Sequence, residues 1–448
     1  MNLAPMTTRG ATTPWDKLRE NYTQSIFLIG ATAYLPFAYF TASAVTPLIF
    51  LIGFLLIAHL KSLRVFAPVA AATAIMLILA FLRSDFVDGL MHGKSFAQAA
   101  HDSKLYFRAP MITWFGIWAL VCAAYNLKAR QSARIFEYFG YVMLILTALL
   151  AVEALSHFGL RDWINRSFFK GARPEMVVVR VSDSNFLLLY LFWPLSFYFV
   201  QRGWAIAVAA MVLVIAGLSV VVDTNAQLLA LAVSAAVFFA TKYWPRGLWA
   251  RRITPERTLA VLVGVFLLVF PFIVLALTRS GALDKAGRHL GGSWGERLRI
   301  WTFAVEQASK KPMWGWGYES SRNFDPMIPE HPHSPSLQAW LEMGVPGLVV
   351  LAAIWFLIFW CLAPKGEALP PAGEHEMVEL SSDPQPVAEG TVEQRARPYV
   401  LALVITFFTV NAVSYGIWRD WIYAQGAFSA AMMMLSIKAV ADRRKFQI

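Results

Sequence analysis

The stretch TLAVLVGVFLLVFPFIVLALT, residues 258–278, runs for 21 residues without a charged side chain and is bounded by Arg257 and Arg279. The hydrocarbon core of a bilayer is about 30 Å thick, so a helix needs about 20 apolar residues to cross it. The stretch therefore predicts a transmembrane helix. Other apolar segments of the chain can be compared with it in length and charge.

The composition agrees with this prediction. Of 448 residues, 58% are hydrophobic and 15% are charged, whereas a soluble domain is about 45–50% apolar and about 25% charged. A water-soluble globular enzyme is excluded, as is a largely disordered chain. The 17 Trp, 33 Phe and 14 Tyr are typical of a membrane protein with aromatic residues at the lipid–water boundary.

Twelve apolar segments of this kind predict an all-α polytopic membrane protein with about twelve transmembrane helices. The predicted spans are residues 26–42, 44–60, 65–83, 110–126, 135–155, 185–200, 203–221, 225–241, 258–278, 345–363, 398–415 and 421–438.

Basic residues set the predicted orientation. The net charge is +11, and Lys and Arg cluster in the gaps after the second, fourth, eighth and twelfth spans. By the positive-inside principle both termini are cytoplasmic. The same count places three longer loops outside: residues 83–109, 156–184 and 279–344. Since the basic residues form no single stripe, no nucleic-acid partner is expected.

The predicted organisation has five parts. They are transmembrane helices 1–9 (residues 1–278), a periplasmic catalytic loop with helical content (279–344), transmembrane helix 10 (345–363), a disordered acidic cytoplasmic linker (364–397), and helices 11–12 with a basic cytoplasmic tail (398–448).

A helix is predicted in the large outer loop, where Arg297, Trp301, Ala304 and Ala308 recur at helical spacing. This amphipathic helix is expected at the outer membrane–water boundary. Arg297 is either a side chain that snorkels to that boundary or a cation of a binding site.

Further along, Gly315-Trp316-Gly317-Tyr318 allows a tight turn or a close approach to a ligand. In His331-Pro332-His333-Ser334-Pro335, Ser334 is the predicted N-cap of a helix that breaks at Gly344. His333 would then lie at a helix N-terminus, whose partial positive charge favours the neutral, proton-accepting imidazole. A surface or supporting histidine is the alternative.

Five cations lie in the second outer loop, against the positive-inside bias: Arg161, Arg166, Lys170, Arg173 and Arg180. They indicate either an anionic ligand or anionic lipid headgroups, and Arg180 is the residue nearest the membrane. Between the last two spans, Trp418-Arg419-Asp420-Trp421 is interpreted as part of an aromatic belt with a local ion pair.

The sequence resembles the O-antigen ligase family in its late motifs. His333-Ser334, nine residues and Gly344-Val345-Pro346-Gly347 are similar to the family's His-[Asn/Ser/Gln]-x9-Gly-x-x-Gly pattern. Arg297 to Trp301, followed by Pro312 to Gly317, resembles its Arg-x-x-x-Trp helix and Pro-x-x-Gly-x-Gly turn. The resemblance implies a GT-C-like fold.

One position departs from the family pattern. Where members commonly carry Thr-x-Ser-Arg, this chain has Thr224-Asn225-Ala226-Gln227. Gln227 stands in place of one arginine that would hold the donor phosphates.

The resemblance implies transfer of a glycan from undecaprenyl pyrophosphate to a hydroxyl of lipid A–core at the periplasmic face of a bacterial inner membrane. His333 would be the general base, with His331 as its rival, and Arg180 and Arg297 would bind the pyrophosphate. Supporting roles are expected for Arg299, Gln227, Gln338, Glu342 and Tyr318. No cofactor and no metal are expected, since the outer loops hold no paired Asp motif.

Two other functions remain open. An O-antigen or exopolysaccharide polymerase, or a protein glycan ligase, would use the same lipid-linked donor with another acceptor. A lipid-linked glycan transporter would need charged or broken helices at the bilayer midplane. Here Arg83, Glu137 and Glu153 lie near span ends, which counts against transport.

Overall fold

The computed structural model describes residues 14–40, 42–103, 108–168, 175–245, 253–290, 292–364 and 391–443. Within these ranges the regular elements are helices and there is no β-strand. The all-α prediction is confirmed for this part of the chain.

Seventeen α-helices are present in the described ranges. They are Pro14–Phe40, Val45–Leu55, Ala67–Leu82, Asp85–Met91, Phe96–Asp102, Arg108–Asn126, Ala129–Leu155, Gly159–Phe168, Glu175–Gln201, Ala205–Val221, Asn225–Lys242, Pro255–Arg279, Ala282–His289, Gly292–Lys310, Pro335–Leu362, Val392–Ser414 and Asp420–Arg443; 3₁₀ helices span Ala42–Ala44, Ile57–Phe66 and Ser320–Phe324.

Each predicted span overlaps one of these helices. Eight helical segments in the described ranges are long and apolar enough to cross a membrane, and Val45–Leu55 and Ala205–Val221 are shorter apolar helices. The chain is therefore a multi-pass membrane protein, while the number twelve stays a prediction. The predicted span 44–60 is interrupted, because its α-helix ends at Leu55 and the chain continues as the 3₁₀ stretch Ile57–Phe66.

The predicted linker is shorter than expected at its C-terminal end. Thr391 caps the helix Val392–Ser414 through a reciprocal pair of hydrogen bonds with Gln394. Residues 392–397 are consequently helical, because this capping box starts the helix before the apolar run. The structure describes neither residues 365–390 of the linker nor residues 444–448 of the tail.

The core lies between the long helices. Glu175–Gln201, the central helix, contributes a nearly continuous run of buried residues from Phe186 to Phe199. Pro335–Leu362, the kinked helix, packs along Pro255–Arg279. A separate cluster, which includes Trp301, Val305 and Leu341, joins Gly292–Lys310, the outer helix, to the kinked helix. This cluster is the base on which the candidate site is built.

Two glycines, Gly53 and Gly116, lie where two helices of the N-terminal part of the chain pack closely together. A Cβ atom built on Gly53 would lie 2.1 Å from the carbonyl oxygen of Gly116. Real atoms do not approach that closely, so the helices Val45–Leu55 and Arg108–Asn126 depend on Gly53 for their separation.

We predict that Gly53→Ala lowers stability by about 1–3 kcal/mol, because the added methyl group must push two backbones apart. Gly217→Ala is the control, since no described residue outside its own helical turn lies within 4 Å of its Cβ position and alanine favours a helix interior. Thermal unfolding of both variants in detergent measures the difference. Equal midpoints for Gly53→Ala and the unsubstituted protein would contradict this packing.

Candidate active site

The outer helix holds the histidine loop, residues 329–334, through one tryptophan. The indole Nε1 of Trp301 donates a buried hydrogen bond of 2.9 Å to the carbonyl of Pro332. Trp301 is itself fixed, because its ring packs edge-on against Phe270. Arg297 lies one turn before Trp301 on the same helix. Because Pro332 precedes His333, the bond between Trp301 and Pro332 also places Arg297 near His333.

The glycine loop, residues 312–317, packs backbone to backbone against the kink of the kinked helix. Gly344 has φ 66° and ψ −159°, and a Cβ atom there would lie 2.2 Å from the Met313 carbonyl oxygen. On the other side, a Cβ atom on Gly315 would lie 2.4 Å from the carbonyl carbon of Glu342. Both positions therefore require glycine.

The same contact satisfies the backbone groups that the kink leaves open. Three hydrogen bonds cross it: Trp316 N–H to Leu341 O at 2.8 Å, Gly317 N–H to Glu342 O at 2.8 Å, and Val345 N–H to Pro312 O at 3.0 Å. The predicted helix break at Gly344 is confirmed.

The buried Glu342 links three segments of the chain through four hydrogen bonds. Its carboxylate accepts hydrogen bonds from the Ser321 hydroxyl (2.6 Å), the Gln338 amide (2.9 Å), the Glu319 N–H (3.0 Å) and the Trp418 indole (2.6 Å). These bonds fill the acceptor sites of a carboxylate. Glu342, expected to support the site, is placed to hold its walls together.

Gln338 and Tyr318 complete these walls. The Gln338 carbonyl accepts the N–H of Ile417 at 2.9 Å, which fixes the connector, residues 415–419, beneath the histidine loop. The Tyr318 ring meets the Trp418 ring edge-on at 4.7 Å. Both expected supporting residues thus contact other protein groups around the site.

His333 has a defined tautomer in this geometry. Its backbone is left-handed, with φ 53°, and its Nδ1 lies 2.9 Å from the carbonyl oxygen of Ser414. A carbonyl oxygen only accepts, so Nδ1 carries the proton and Nε2 of the neutral ring keeps its lone pair. Among the described residues, nothing forms a hydrogen bond with that Nε2.

The surroundings keep this imidazole neutral. Burial lowers the pKa of His333 below its ordinary value, and Arg297 lowers it further, while the Ser414 carbonyl and Glu296 act in the opposite direction. A neutral ring at physiological pH is the form that can accept a proton. The predicted start of the helix is confirmed at Ser334, but the Ser334 hydroxyl contacts Ser336 at 3.3 Å and does not cap the backbone.

His331 is less suited to act as a base. Its side chain is buried, and burial followed by the neighbouring His333 lowers its pKa to about 3. The two rings lie 4.4 Å apart between centroids. The His331 ring is therefore buried and weakly basic, whereas the His333 side chain is partly exposed.

The two arginines of the outer helix face different ways. Arg297 is half-buried, lies over the Trp294 ring at 5.0 Å, and has no carboxylate within salt-bridge distance among the described residues. Burial lowers its pKa, which Glu296 partly restores. Arg299 is exposed and lies about 200° around the helix from Arg297, so it is not brought to the site.

Gln227 is fully engaged with protein groups, and its amide is not free for a phosphate. Its Oε1 accepts from Asn185 (2.6 Å), Ser219 (2.7 Å) and Thr224 (3.0 Å), and its Nε2 donates to the Ser182 carbonyl (2.9 Å). These hydrogen bonds tie the central helix to two neighbouring helices, and the supporting role expected for Gln227 stays a prediction.

Arg180 lies on the central helix one turn before Ser184, whose hydroxyl donates to the Arg180 carbonyl at 2.9 Å. The guanidinium of Arg180 forms no hydrogen bond or ion pair with the residues that the structure describes. Arg161, another cation of residues 156–184, is buried near Arg180 and donates to Ser184 at 3.3 Å. No contact joins Arg180 directly to His333 or Arg297 in the described ranges.

The local ion pair expected within Trp418–Trp421 is not formed, while the aromatic belt stays a prediction. The Trp418 indole donates to the buried Glu342, and Arg419 pairs with Glu330 of the histidine loop. Asp420 instead accepts the N–H of Trp421 at 2.8 Å. The sequence pointed to this motif, but pairing across such a separation is visible only in the fold.

Among the described residues, no group of three or more His, Cys, Asp or Glu side chains is arranged to hold a metal ion. The groups near His333 are instead the cation Arg297, the carbonyl of Ser414 and the second imidazole of His331. This set can accept a proton and stabilise negative charge.

Comparison with known proteins agrees with the motifs. Residues 210–352 match a family profile described as O-antigen ligase. That segment contains Gln227, Arg297, His333 and the glycines of the kink, but neither Arg180 nor Arg419.

Curated relatives extend the similarity over most of the chain. A protein of Rickettsia felis named "Putative polysaccharide ligase" is 23% identical over 419 residues, which cover 83% of this chain and 93% of the relative. A similarly named protein of Rickettsia conorii is 22% identical over 424 residues, 82% of this chain and 93% of its own length. One of Rickettsia typhi is 26% identical over 156 residues, 32% of each chain. By these matches, the chain is similar to the O-antigen ligase family.

Proposed function

We propose that this protein transfers a glycan from undecaprenyl pyrophosphate to a sugar hydroxyl of lipid A–core oligosaccharide. The proposed reaction takes place at the periplasmic face of a bacterial inner membrane, inverts the anomeric centre and needs no metal. The family similarity supports a polysaccharide ligase, and the geometry around His333 supports the chemistry.

One observation carries the proposal. The hydrogen bond from His333 Nδ1 to the Ser414 carbonyl directs the lone pair of Nε2 away from the protein framework. In the proposed step, Nε2 takes the proton of the acceptor hydroxyl as that oxygen attacks the anomeric carbon. General bases of this kind contribute about 10²–10⁴-fold to a rate.

The leaving diphosphate needs positive charge as the bond between the anomeric carbon and the phosphate oxygen breaks. Arg297 is near His333 and has no carboxylate partner, so it can bind phosphate oxygens in a bidentate manner. We assign Arg180 the role of a second cation that binds the same diphosphate, because its guanidinium is likewise unpaired among the described residues. Removal of one such donor costs about 10²–10³-fold in comparable sites.

The reconstituted reaction tests the proposal. Purified protein is incubated with polyprenyl-pyrophosphate-linked glycan and lipid A–core, and lipid A–core that gains the glycan is the expected product. If the glycan lengthens on the lipid carrier with no product on lipid A–core, the protein is a polymerase. If neither product forms but the lipid-linked glycan crosses a vesicle membrane, the protein is a transporter.

We predict that His333→Ala reduces transfer by at least about 10²-fold, because the acceptor hydroxyl loses its base. His289→Ala is the matched control, since His289 is exposed in the same loop and, within the described ranges, bonds only to the Lys285 carbonyl. Initial rates and membrane yield are measured for both variants. Full activity of His333→Ala would exclude the general-base role.

The pH profile provides a second prediction. Because burial and Arg297 lower the pKa of His333, kcat/KM should stay constant at neutral pH and fall only below about pH 6.5, where the imidazole gains a proton. Arg297→Gln removes a positive charge that opposes protonation. The acid limb of its residual activity should therefore move to higher pH, and an unshifted or lower limb would contradict the coupling.

Chelation tests the metal-free step. Arginines can stabilise the departing diphosphate without a metal, so transfer after dialysis against EDTA should keep its rate. A loss of activity that Mg²⁺ or Mn²⁺ restores would show that the arginines do not suffice.

A further inference from the structure

A small polar cavity of about 20 Å³ lies against His331, where the histidine loop meets the connector. Its walls include two arginines, Arg322 and Arg419, and two glutamates, Glu319 and Glu330. The proposed transfer uses none of these side chains, although the cavity adjoins the imidazole pair.

His331 is the first indication that this cavity binds a ligand. The side chain is 5% exposed, and among the described residues neither ring nitrogen has a partner in hydrogen-bond geometry. Its Nδ1 lies 3.9 Å from the Glu330 carboxylate, and the nearby Ser414 carbonyl, which raises the pKa of His331, is bonded to His333. A buried polar group without a partner costs about 1–3 kcal/mol. Because its pKa is lowered to about 3, first by burial, the ring is neutral and offers one N–H as a donor.

The two arginines are the second indication. Burial lowers the pKa of Arg419, and the like charge of Arg322 lowers it further, while Asp183, Asp420 and Glu319 act in the opposite direction. Two guanidinium groups and an imidazole N–H around one small space form a donor set suited to a phosphate.

The two glutamates differ in how firmly they are held. The Glu319 side chain is 12% exposed and pairs with Arg322 at 2.9 Å, and its own N–H is bound by Glu342. Glu330, in contrast, is 60% exposed and pairs with Arg419 at the rim. Since exposed ion pairs contribute only about 0–1 kcal/mol, an incoming anion can displace Glu330 at little cost.

We propose that Arg419, Arg322 and His331 form a phosphate subsite, and that the Glu330 carboxylate occupies the phosphate position until a ligand displaces it. The inference rests on the proposed function for its context. There the phosphoryl group belongs either to the donor diphosphate or to a phosphate on the acceptor sugar.

Inorganic pyrophosphate is the binding probe, titrated into the full-length protein at constant ionic strength. Glu330→Gln should bind it about 3- to 10-fold more tightly, because a competing anion is removed. Arg419→Gln should bind it about tenfold or more weakly. Arg288→Gln, which removes an exposed cation of the same loop, should bind it as the unsubstituted protein does.

The result that overturns the subsite is unchanged affinity in Glu330→Gln. The exposed Glu330 side chain can be replaced without disturbing the core. The test therefore remains decisive even if Arg419→Gln misfolds. The titration needs no transfer. If the variants show the predicted order of affinities but the protein transfers no glycan, the proposed function is rejected and the phosphate subsite is retained.

Kinetics with Arg419→Gln distinguish the two phosphate sources. A raised KM for the donor, with phosphorylated and phosphatase-treated lipid A–core alike, assigns the subsite to the donor diphosphate. A raised KM for the phosphorylated acceptor alone assigns it to the acceptor phosphate. Unchanged KM values for both substrates would refute a subsite used in the reaction.

Discussion

The hydrogen bond between Nδ1 of His333 and the Ser414 carbonyl joins two segments of the site that are far apart in the chain. It connects the histidine loop to the end of the helix Val392–Ser414, 81 residues further along the chain. It also decides which nitrogen of His333 holds the lone pair, because a carbonyl can only accept. If the ring turned over, Nε2 would be used by the framework, and the remaining nitrogen would face a different environment.

Everything around that bond restricts how the loop can move. The Trp301 indole holds the Pro332 carbonyl from one side, and the Glu342 carboxylate binds the Trp418 indole from the other. Beneath them, the interlocked glycines Gly315 and Gly344 bring two backbones closer than any side chain permits. The site is thus presented by rigid contacts, which is the condition for a base and a cation to act on one bond.

Local patterns in the sequence predicted the parts of this arrangement. Apolar runs indicated the helices, the spacing of Arg297 and Trp301 indicated the outer helix, and Gly344 indicated the kink, since each depends on residues within a few turns. Contacts between distant segments could not be predicted in this way. The pairing of Arg419 with Glu330 and the four bonds of Glu342 depend on the packing of helices. Gln227 stands where the family pattern has an arginine, but the fold surrounds it with Asn185, Ser219 and Ser182.

The most direct measurement is ¹⁵N NMR of the histidine-labelled protein at neutral pH, with the His333 signals assigned by their loss in His333→Asn. The ring nitrogens report both the charge of the imidazole and the position of its proton. We expect a neutral ring protonated at Nδ1, with its lone pair on Nε2. A ring protonated at Nε2 alone, or an imidazolium at pH 7, would contradict the assignment of His333 as the base.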